Sequence, residues 1–143
     1  GDFSNLNLIT EIAEKNNAVV ILDDAHGDFV VGKDGKGTAN HFGVSKKIDV
    51  YISSLSKGLG SFGGYAASKK NTIEFCVNKS KSFIYTSALP GILIHDATKR
   101  FESKRERNRK RLWKNIKKFS SGLKKIGFNV NSNSQILDRK SVV

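Results

Sequence analysis

Two short apolar runs each end in a cluster of polar residues, and this repeated pattern constrains the fold more than any other feature of the chain. Residues 18–22 read AVVIL and precede DDAHG, and residues 48–53 read IDVYIS and precede SLSKG. Short apolar runs rich in β-branched residues are typical of strands inside parallel sheets that are covered on both faces. Strands that alternate with helical patterns predict an α/β architecture.

Helical periodicity surrounds these two runs. Apolar residues between Leu6 and Ala13 recur at helical spacing, and the segment 72–77 also suits a helix. A longer apolar stripe repeats at spacings of four and three and is followed by Gly127; its members are Leu112, Ile116, Phe119, Leu123 and Ile126. We further predict short strands at 65–67 and 83–85, a helix that begins near Pro90, and loops and tight turns across 27–43.

The net charge of +12 is concentrated in one segment of the chain. Residues 99–125 hold 13 of the 25 Lys and Arg but only two acids, so this segment carries +11. A basic module that grips nucleic-acid phosphates is therefore a non-enzyme alternative. The apolar stripe favours instead a helix that packs on the body of the protein, with its lysines in solvent, and we expect no nucleic-acid partner. No apolar run is long enough for a membrane span, so we predict a cytoplasmic protein with no membrane partner.

Three residue types in the composition lead to further expectations. Methionine is absent, even at position 1, and we interpret the chain as an interior fragment with a non-native tail at 138–143, DRKSVV. The lone cysteine, Cys76, lies in an apolar context and is expected to pack as a small apolar side chain. His41 and His95 have no cysteine or histidine at ligand spacing, so we predict no metal site.

Polar residues directly after strands have the strongest claim to a functional site, because ligands of open α/β sheets bind beyond the carboxyl ends of strands. The first cluster contains Asp23, Asp24 and His26, and the second contains Ser54, Ser56 and Lys57. A lysine between a strand and a glycine-rich turn can be partly desolvated, which favours Schiff-base chemistry. An acid on a neighbouring strand can then pair with a pyridinium nitrogen, as pyridoxal phosphate requires.

Each of these sequence patterns also has a simpler interpretation. Two aspartates before a loop often only cap a turn, and an isolated lysine is usually a solvated surface charge. The stretch 58–63 matches the dinucleotide fingerprint GxGxxG, but the β-like YAA follows it instead of a helix. Residues 54–57 spell SxxK, yet the SDN and KTG motifs of penicillin-recognising enzymes are missing downstream. The combination of both clusters favours the cofactor site.

Four stretches, in this order, resemble the α-oxoamine synthases: LDDAHG, GKDGKGTANHFG, SSLSKGLGSFGGY and FIYTSALP. These are fold-type I pyridoxal-phosphate enzymes that condense an amino acid with an acyl-CoA thioester and release carbon dioxide. The likeness spans residues 1–135. It implies that residues 1–89 are part of the cofactor-binding large domain, and that residues 90–137 are connecting helices and the start of a small C-terminal domain.

The resemblance also implies a role for individual residues. Lys57 would hold pyridoxal phosphate as a Schiff base and act as the catalytic base. Asp23 would pair with the pyridine nitrogen, and His26, also catalytic, would bind the phenolic oxygen. The cofactor phosphate would be contacted by Ser54 and, from the neighbouring subunit of a homodimer, by Thr86 and Ser87.

One residue departs from the pattern that the resemblance implies. Asp28 stands where a small hydroxyl residue or another small side chain is expected. This difference leaves the acyl-chain preference open.

Overall fold

The computed structural model describes residues 1–103 and 105–138, which form two compact units. One unit is Leu6–Ser103, and the other joins Gly1–Asn5 to the described residues after position 104. Of the proposed tail, residues 139–143 lie outside the described part. The expected domain boundary after residue 89 stays a prediction. None of the described helices is long and apolar enough to cross a membrane.

A three-stranded mixed sheet forms the centre of the larger unit. Its strands are β1 (Ile21–Asp23), β2 (Val50–Ser54) and β3 (Gly64–Ser68), in the order β1-β2-β3. β1 pairs with β2 in parallel and β2 pairs with β3 in antiparallel orientation. The predicted α/β class is therefore confirmed, and both β2 and β3 lie where the sequence predicts strands.

Five α-helices belong to the same unit: α1 (Leu6–Lys15), α2 (Gly37–His41), α3 (Lys70–Lys79), α4 (Lys81–Ile84) and α5 (Gly91–Glu102). Two short 3-10 helices, Lys33–Gly35 and Ser45–Lys47, flank α2. α1 follows its predicted periodicity, and its residue Leu6 packs with Ala39 and Val44 in the buried core. Leu22 of β1 contacts the same cluster. This packing holds the connection between β1 and β2 against the sheet, as burial of apolar surface favours.

The second unit contains one long helix, α6 (Glu106–Lys125). The Ser132 hydroxyl donates a hydrogen bond of 2.8 Å to the Gly1 carbonyl, which ties the two ends of this unit together. The apolar stripe of α6 is present as predicted, but the expected packing is not complete within the described residues. Phe119 is 59% exposed and Ile126, just after the helix, is 71% exposed.

Four local predictions are wrong. The segment 83–85 is not a strand, because α4 satisfies its amides locally: the Phe83 and Ile84 amides donate to the Ser80 carbonyl. The loop 27–43 contains the short helix α2. Cys76 is exposed and does not pack in the core. β1 is shorter than the apolar run that predicts it, and its Ile21 is largely exposed.

Candidate active site

The two polar clusters lie at the same edge of the sheet. Because β1 and β2 are parallel and Asp23 pairs with Ile52, the carboxyl ends of both strands point in the same direction. The Asp24 amide donates to the Ile52 carbonyl at 2.8 Å and extends the pairing by one step. Ser54 ends β2 and Lys57 follows it. The sheet thus brings the two predicted strand-end clusters to one edge.

Lys57 belongs to a closed loop, which we call the Lys57 loop and define as residues 55–63. The Leu55 amide donates to the Gly63 carbonyl at 2.9 Å, and the Ser61 amide donates to the Leu55 carbonyl at 2.8 Å. Within the loop, the Gly60 amide donates to the Lys57 carbonyl at 3.0 Å. Leu59 is buried, whereas Lys57 is exposed. The expected partial desolvation of Lys57 is therefore not provided by the described residues.

A polar contact joins the Lys57 loop to α5. The Ser61 hydroxyl donates to Asp96 Oδ2 at 2.6 Å, and Arg100 Nε forms an ion pair with the same carboxylate at 2.8 Å. The Ser61 hydrogen bond, assisted by Arg100, lowers the pKa of the Asp96 carboxyl below its usual range. Asp96 is thus held in the charged form that ties the loop to the helix.

Asp24 connects two of the motifs that carried the family resemblance. Its buried carboxylate accepts hydrogen bonds from the Thr38 amide at 2.6 Å, the Thr38 hydroxyl at 2.8 Å and the Tyr51 hydroxyl at 2.8 Å. Gly37 approaches so closely that a β-carbon there would collide with Asp24 and Tyr51, and its φ is +86°. Glycine is required at this position for both reasons. The GKGT stretch is thereby fixed onto the DDAHG stretch.

Asp28, the residue that departs from the family pattern, is also buried and hydrogen-bonded. Its Oδ2 accepts the Tyr65 hydroxyl at 2.6 Å and its Oδ1 accepts the Phe29 amide at 3.0 Å. Burial raises the pKa of both Tyr51 and Tyr65, and the hydrogen bonds to Asp24 and Asp28 raise it further. Both phenols therefore act as neutral donors to buried carboxylates. Asp28 is engaged within the fold, away from solvent.

The side chains assigned by the resemblance face solvent to different extents. Asp23 and His26 are exposed, and Asp23 Oδ1 accepts the Ala25 amide at 3.0 Å. Ser54 is half-buried, with its hydroxyl 2.8 Å from that of Ser56. Two further assigned residues, Thr86 and Ser87, are exposed in the irregular segment between α4 and α5. Their expected contact with a neighbouring subunit stays a prediction.

Sequence reasoning named Asp24 and Asp28 but missed the residues that donate hydrogen bonds to them, namely Thr38, Tyr51 and Tyr65. One signal in the sequence could have pointed to Tyr51. Tyr51 and Ser53 are two positions apart in β2, so their side chains lie on the same face of the sheet. The Tyr51 hydroxyl contacts Asp24 from that face. Among the described residues, no group of three or more His, Cys, Asp or Glu is arranged to hold a metal ion.

Comparison with known proteins places these features in a family. Residues 1–136 match the family described as aminotransferase class I and II. A curated relative, 8-amino-7-oxononanoate synthase of Thermosipho melanesiensis, is 43% identical over 131 residues, which are 90% of this chain and 33% of the relative. The chain thus spans about a third of the length of the curated relatives it matches.

Solved structures resemble the fold as well. Serine palmitoyltransferase from S. paucimobilis, solved with PLP and myriocin bound, has a TM-score of 0.87 at 27% identity and covers 96% of this chain and 35% of its own. 8-amino-7-oxononanoate synthase from Francisella tularensis has a TM-score of 0.72 at 26% identity, and the match covers 91% of this chain and 39% of the synthase chain. These likenesses confirm the α-oxoamine synthase resemblance and the fold-type I class. The chain belongs to the aminotransferase class I and II family.

Proposed function

We propose that this chain is part of a pyridoxal-phosphate-dependent acyltransferase that condenses an amino acid with an acyl-CoA thioester and releases carbon dioxide. The observation that carries the proposal is the common strand edge from which Asp23 and Lys57 extend. An acid and an amine on adjacent parallel strands are what a Schiff-base cofactor with a ring nitrogen needs. Residues 1–89 would belong to the cofactor-binding domain, and residues 90–137 would lead into the C-terminal domain.

The chemistry of the side chains present fits pyridoxal phosphate. Lys57 offers an amine for the aldehyde, and Asp23 offers a carboxylate for the ring nitrogen. The paired hydroxyls of Ser54 and Ser56 offer donors for a phosphate. His26 would bind the phenolic oxygen. All of these groups extend from the ends of β1 and β2.

Asp23, Lys57 and His26 would each have a distinct role in the reaction. Pyridoxal phosphate, when bound, supplies an electron sink for negative charge that develops on the amino-acid substrate. The Asp23 carboxylate would favour a protonated ring nitrogen, as a close opposite charge does. The Lys57 amine would be the general base that takes the proton from the substrate Cα. His26 would orient the ring by a hydrogen bond.

The substrates are proposed from the motifs and the relatives. The DDAHG, GKGT and HFG stretches resemble those of 8-amino-7-oxononanoate synthase, the biotin-pathway enzyme that uses alanine and a pimeloyl thioester. Glycine C-acetyltransferase, which uses glycine and acetyl-CoA, is the alternative. The site would be completed in a homodimer, with Thr86 and Ser87 reaching the partner's cofactor phosphate. A cytoplasmic location stays a prediction from the sequence.

The decisive test concerns Lys57 in the intact protein that carries this chain. We expect the purified protein to bind pyridoxal phosphate and to show the cofactor's near-visible absorbance, and Lys57→Ala to lose the covalent attachment to the protein. Lys79→Ala, at the exposed end of α3, is the matched control and should behave as the parent protein. Attachment that survives in Lys57→Ala would refute the assignment. Turnover of alanine with a pimeloyl thioester, compared with glycine and acetyl-CoA, decides the substrate.

A further inference from the structure

Asp28 and Tyr65 form a hydrogen bond that connects β3 to the segment after β1. The Tyr65 hydroxyl reaches Asp28 Oδ2 at 2.6 Å, and the Asp28 side chain is buried. Tyr65 pairs with Ser53 across β3 and β2, one residue before β2 ends. The contact therefore lies at the end of the sheet from which the Lys57 loop begins.

The Lys57 loop rests directly on the residues that this hydrogen bond holds. A β-carbon at Gly58, the residue next to Lys57, would lie 2.5 Å from the Asp28 carbonyl oxygen. It would also lie 3.0 Å from Phe29 Cβ and 3.1 Å from Val30 Cγ2. The φ of Gly58 is not in the left-handed region, so the contact itself requires glycine there. Any shift of segment 28–30 would thus move the backbone beside Lys57.

Segment 28–30 has a strained backbone that needs an external constraint. Phe29 has a φ of +63°, in the left-handed region that large side chains rarely adopt. Such conformations are energetically unfavourable and persist only where their surroundings enforce the geometry. The Asp28 carboxylate accepts the Phe29 amide through one oxygen and the Tyr65 hydroxyl through the other. One carboxylate therefore joins the strained turn to the sheet.

We propose that Asp28 and Tyr65 are positioning residues for Lys57: their hydrogen bond fixes segment 28–30, and Gly58 transmits that position to the lysine. This inference rests on the proposed role of Lys57. It also gives a reason for the departure of Asp28 from the family pattern. A small side chain at this position has no carboxylate and could not bind both the Tyr65 hydroxyl and the Phe29 amide. Asp28 sets geometry and does not touch the substrate.

The test compares single-group variants of the intact protein. Tyr65→Phe removes only the hydroxyl, and Asp28→Ala removes both acceptor oxygens. Asp28→Asn keeps an oxygen that accepts the Phe29 amide and gains an NH2 group that can donate to the Tyr65 hydroxyl oxygen. The matched control is Ser68→Ala, which removes one hydroxyl from the opposite end of β3, where Ser68 donates to the Asp49 carbonyl at 2.5 Å. All variants are compared in thermal midpoint, affinity for pyridoxal phosphate, and kcat and KM.

We expect Tyr65→Phe and Asp28→Ala to lower kcat by roughly 10- to 100-fold with little change in KM, since a displaced reacting group is penalised in the chemical step. Affinity for pyridoxal phosphate should fall as well. Asp28→Asn should retain most of both properties, and Ser68→Ala should change only the thermal midpoint. Equal effects of Tyr65→Phe and Ser68→Ala on all measurements would overturn the inference.

A second measurement separates this inference from the proposed function. In the cofactor-free protein, the rate at which an amine-reactive reagent labels Lys57 can be followed by peptide mass spectrometry. Tyr65→Phe should change that rate at least about threefold, and Ser68→Ala should not. An unchanged rate in Tyr65→Phe overturns the positioning role, whether or not the cofactor binds. If Tyr65→Phe does not fold, the comparison of Asp28→Asn with Asp28→Ala decides by the same readout.

Discussion

Asp24 shows how much of this site's geometry depends on a single buried carboxylate. Three donors from two distant segments converge on it, two of them from Thr38 and one from Tyr51. A buried carboxylate that loses a donor retains the full cost of its desolvation. The adjacent Asp23 takes its position from the same turn. At the scale of single residues, the exposed groups that we propose as functional thus lie next to buried, hydrogen-bonded neighbours.

Replacing Thr38 by valine tests this dependence. The change removes the 2.8 Å hydroxyl contact to Asp24 and keeps the branched shape. We expect the free energy of unfolding of the intact protein to fall by about 1–3 kcal/mol, because the carboxylate is left with an unmet hydrogen bond. Thr98→Val is the control, since its hydroxyl donates to the Ile94 carbonyl on an exposed helix face. For Thr98→Val, chemical denaturation should show that the free energy of unfolding changes by less than about 0.5 kcal/mol.

The two tyrosines of the site predict a specific pH dependence. Tyr51 and Tyr65 have a raised pKa in the folded chain, first through burial and then through hydrogen bonds to carboxylates. A group whose folded pKa exceeds its unfolded value of about 10 stabilises the fold fully below that pH, and this contribution is lost as the pH rises above it. Stability should therefore decline on the alkaline side.

Ultraviolet titration of the intact protein and its Tyr51→Phe and Tyr65→Phe variants measures this effect. Between about pH 9 and about pH 11, the tyrosinate absorbance of each folded variant should equal that of the parent, because the removed phenol did not ionise in that range. In denaturant, each variant should show one tyrosinate fewer. If a folded variant showed one tyrosinate fewer than the parent below about pH 11, the hydrogen bond assigned to the replaced tyrosine would be contradicted.

At the scale of elements, the sequence predicts best what depends on local periodicity. α1, α3 and α6 follow the spacing of their apolar residues, and β3 follows its short β-rich run. β1 is shortened because the Ala18 amide closes the turn after α1 by donating to the Ala13 carbonyl at 2.9 Å. The apolar run FIY has strand-forming residues, yet α4 satisfies its amides locally.

The site was predictable only where it follows from strand ends. Asp23 comes directly after one apolar run and Lys57 lies four residues beyond the end of the other, so the rule for α/β sheets locates both near strand ends. The contacts of Asp24 with Thr38 and of Asp28 with Tyr65 join residues 14 and 37 positions apart. Sequence spacing carries no information about which distant donor meets which carboxylate. These pairs depend on how the loops pack on the sheet.

The apolar stripe of α6 gives a prediction at this scale. Asn115, Lys118, Phe119, Gly122, Leu123 and Ile126 line an open cavity of about 430 Å³. An amphipathic helix normally buries such a stripe. We expect Phe119→Ala in the intact protein to lower the free energy of unfolding by about 3 kcal/mol, as for a buried phenylalanine. Lys117→Ala, an exposed residue of α6 that does not line this cavity, should change the free energy of unfolding by less than about 0.5 kcal/mol. Equal changes in the free energy of unfolding for Phe119→Ala and its control would indicate that the apolar stripe remains in solvent.

At the scale of the whole molecule, this chain leaves apolar surface open on several elements. Val19, Tyr85 and Ile92 are each at least 70% exposed, and the strands at both edges of the sheet have only one neighbour within the described residues. Where such exposed apolar side chains adjoin one another, they usually mark surfaces that other protein segments cover. The chain spans about a third of the length of its curated relatives.

The isolated chain should therefore behave differently from the intact protein. Expressed alone, it should bind a hydrophobic dye such as ANS, unfold without a sharp transition and fail to attach pyridoxal phosphate, because its apolar faces and its site are only partly enclosed. The intact protein should bind little dye, unfold cooperatively and attach the cofactor. Dye fluorescence, thermal denaturation and cofactor absorbance measure these differences. Cooperative unfolding of the isolated chain with low dye binding would show that its exposed faces need no partner segment.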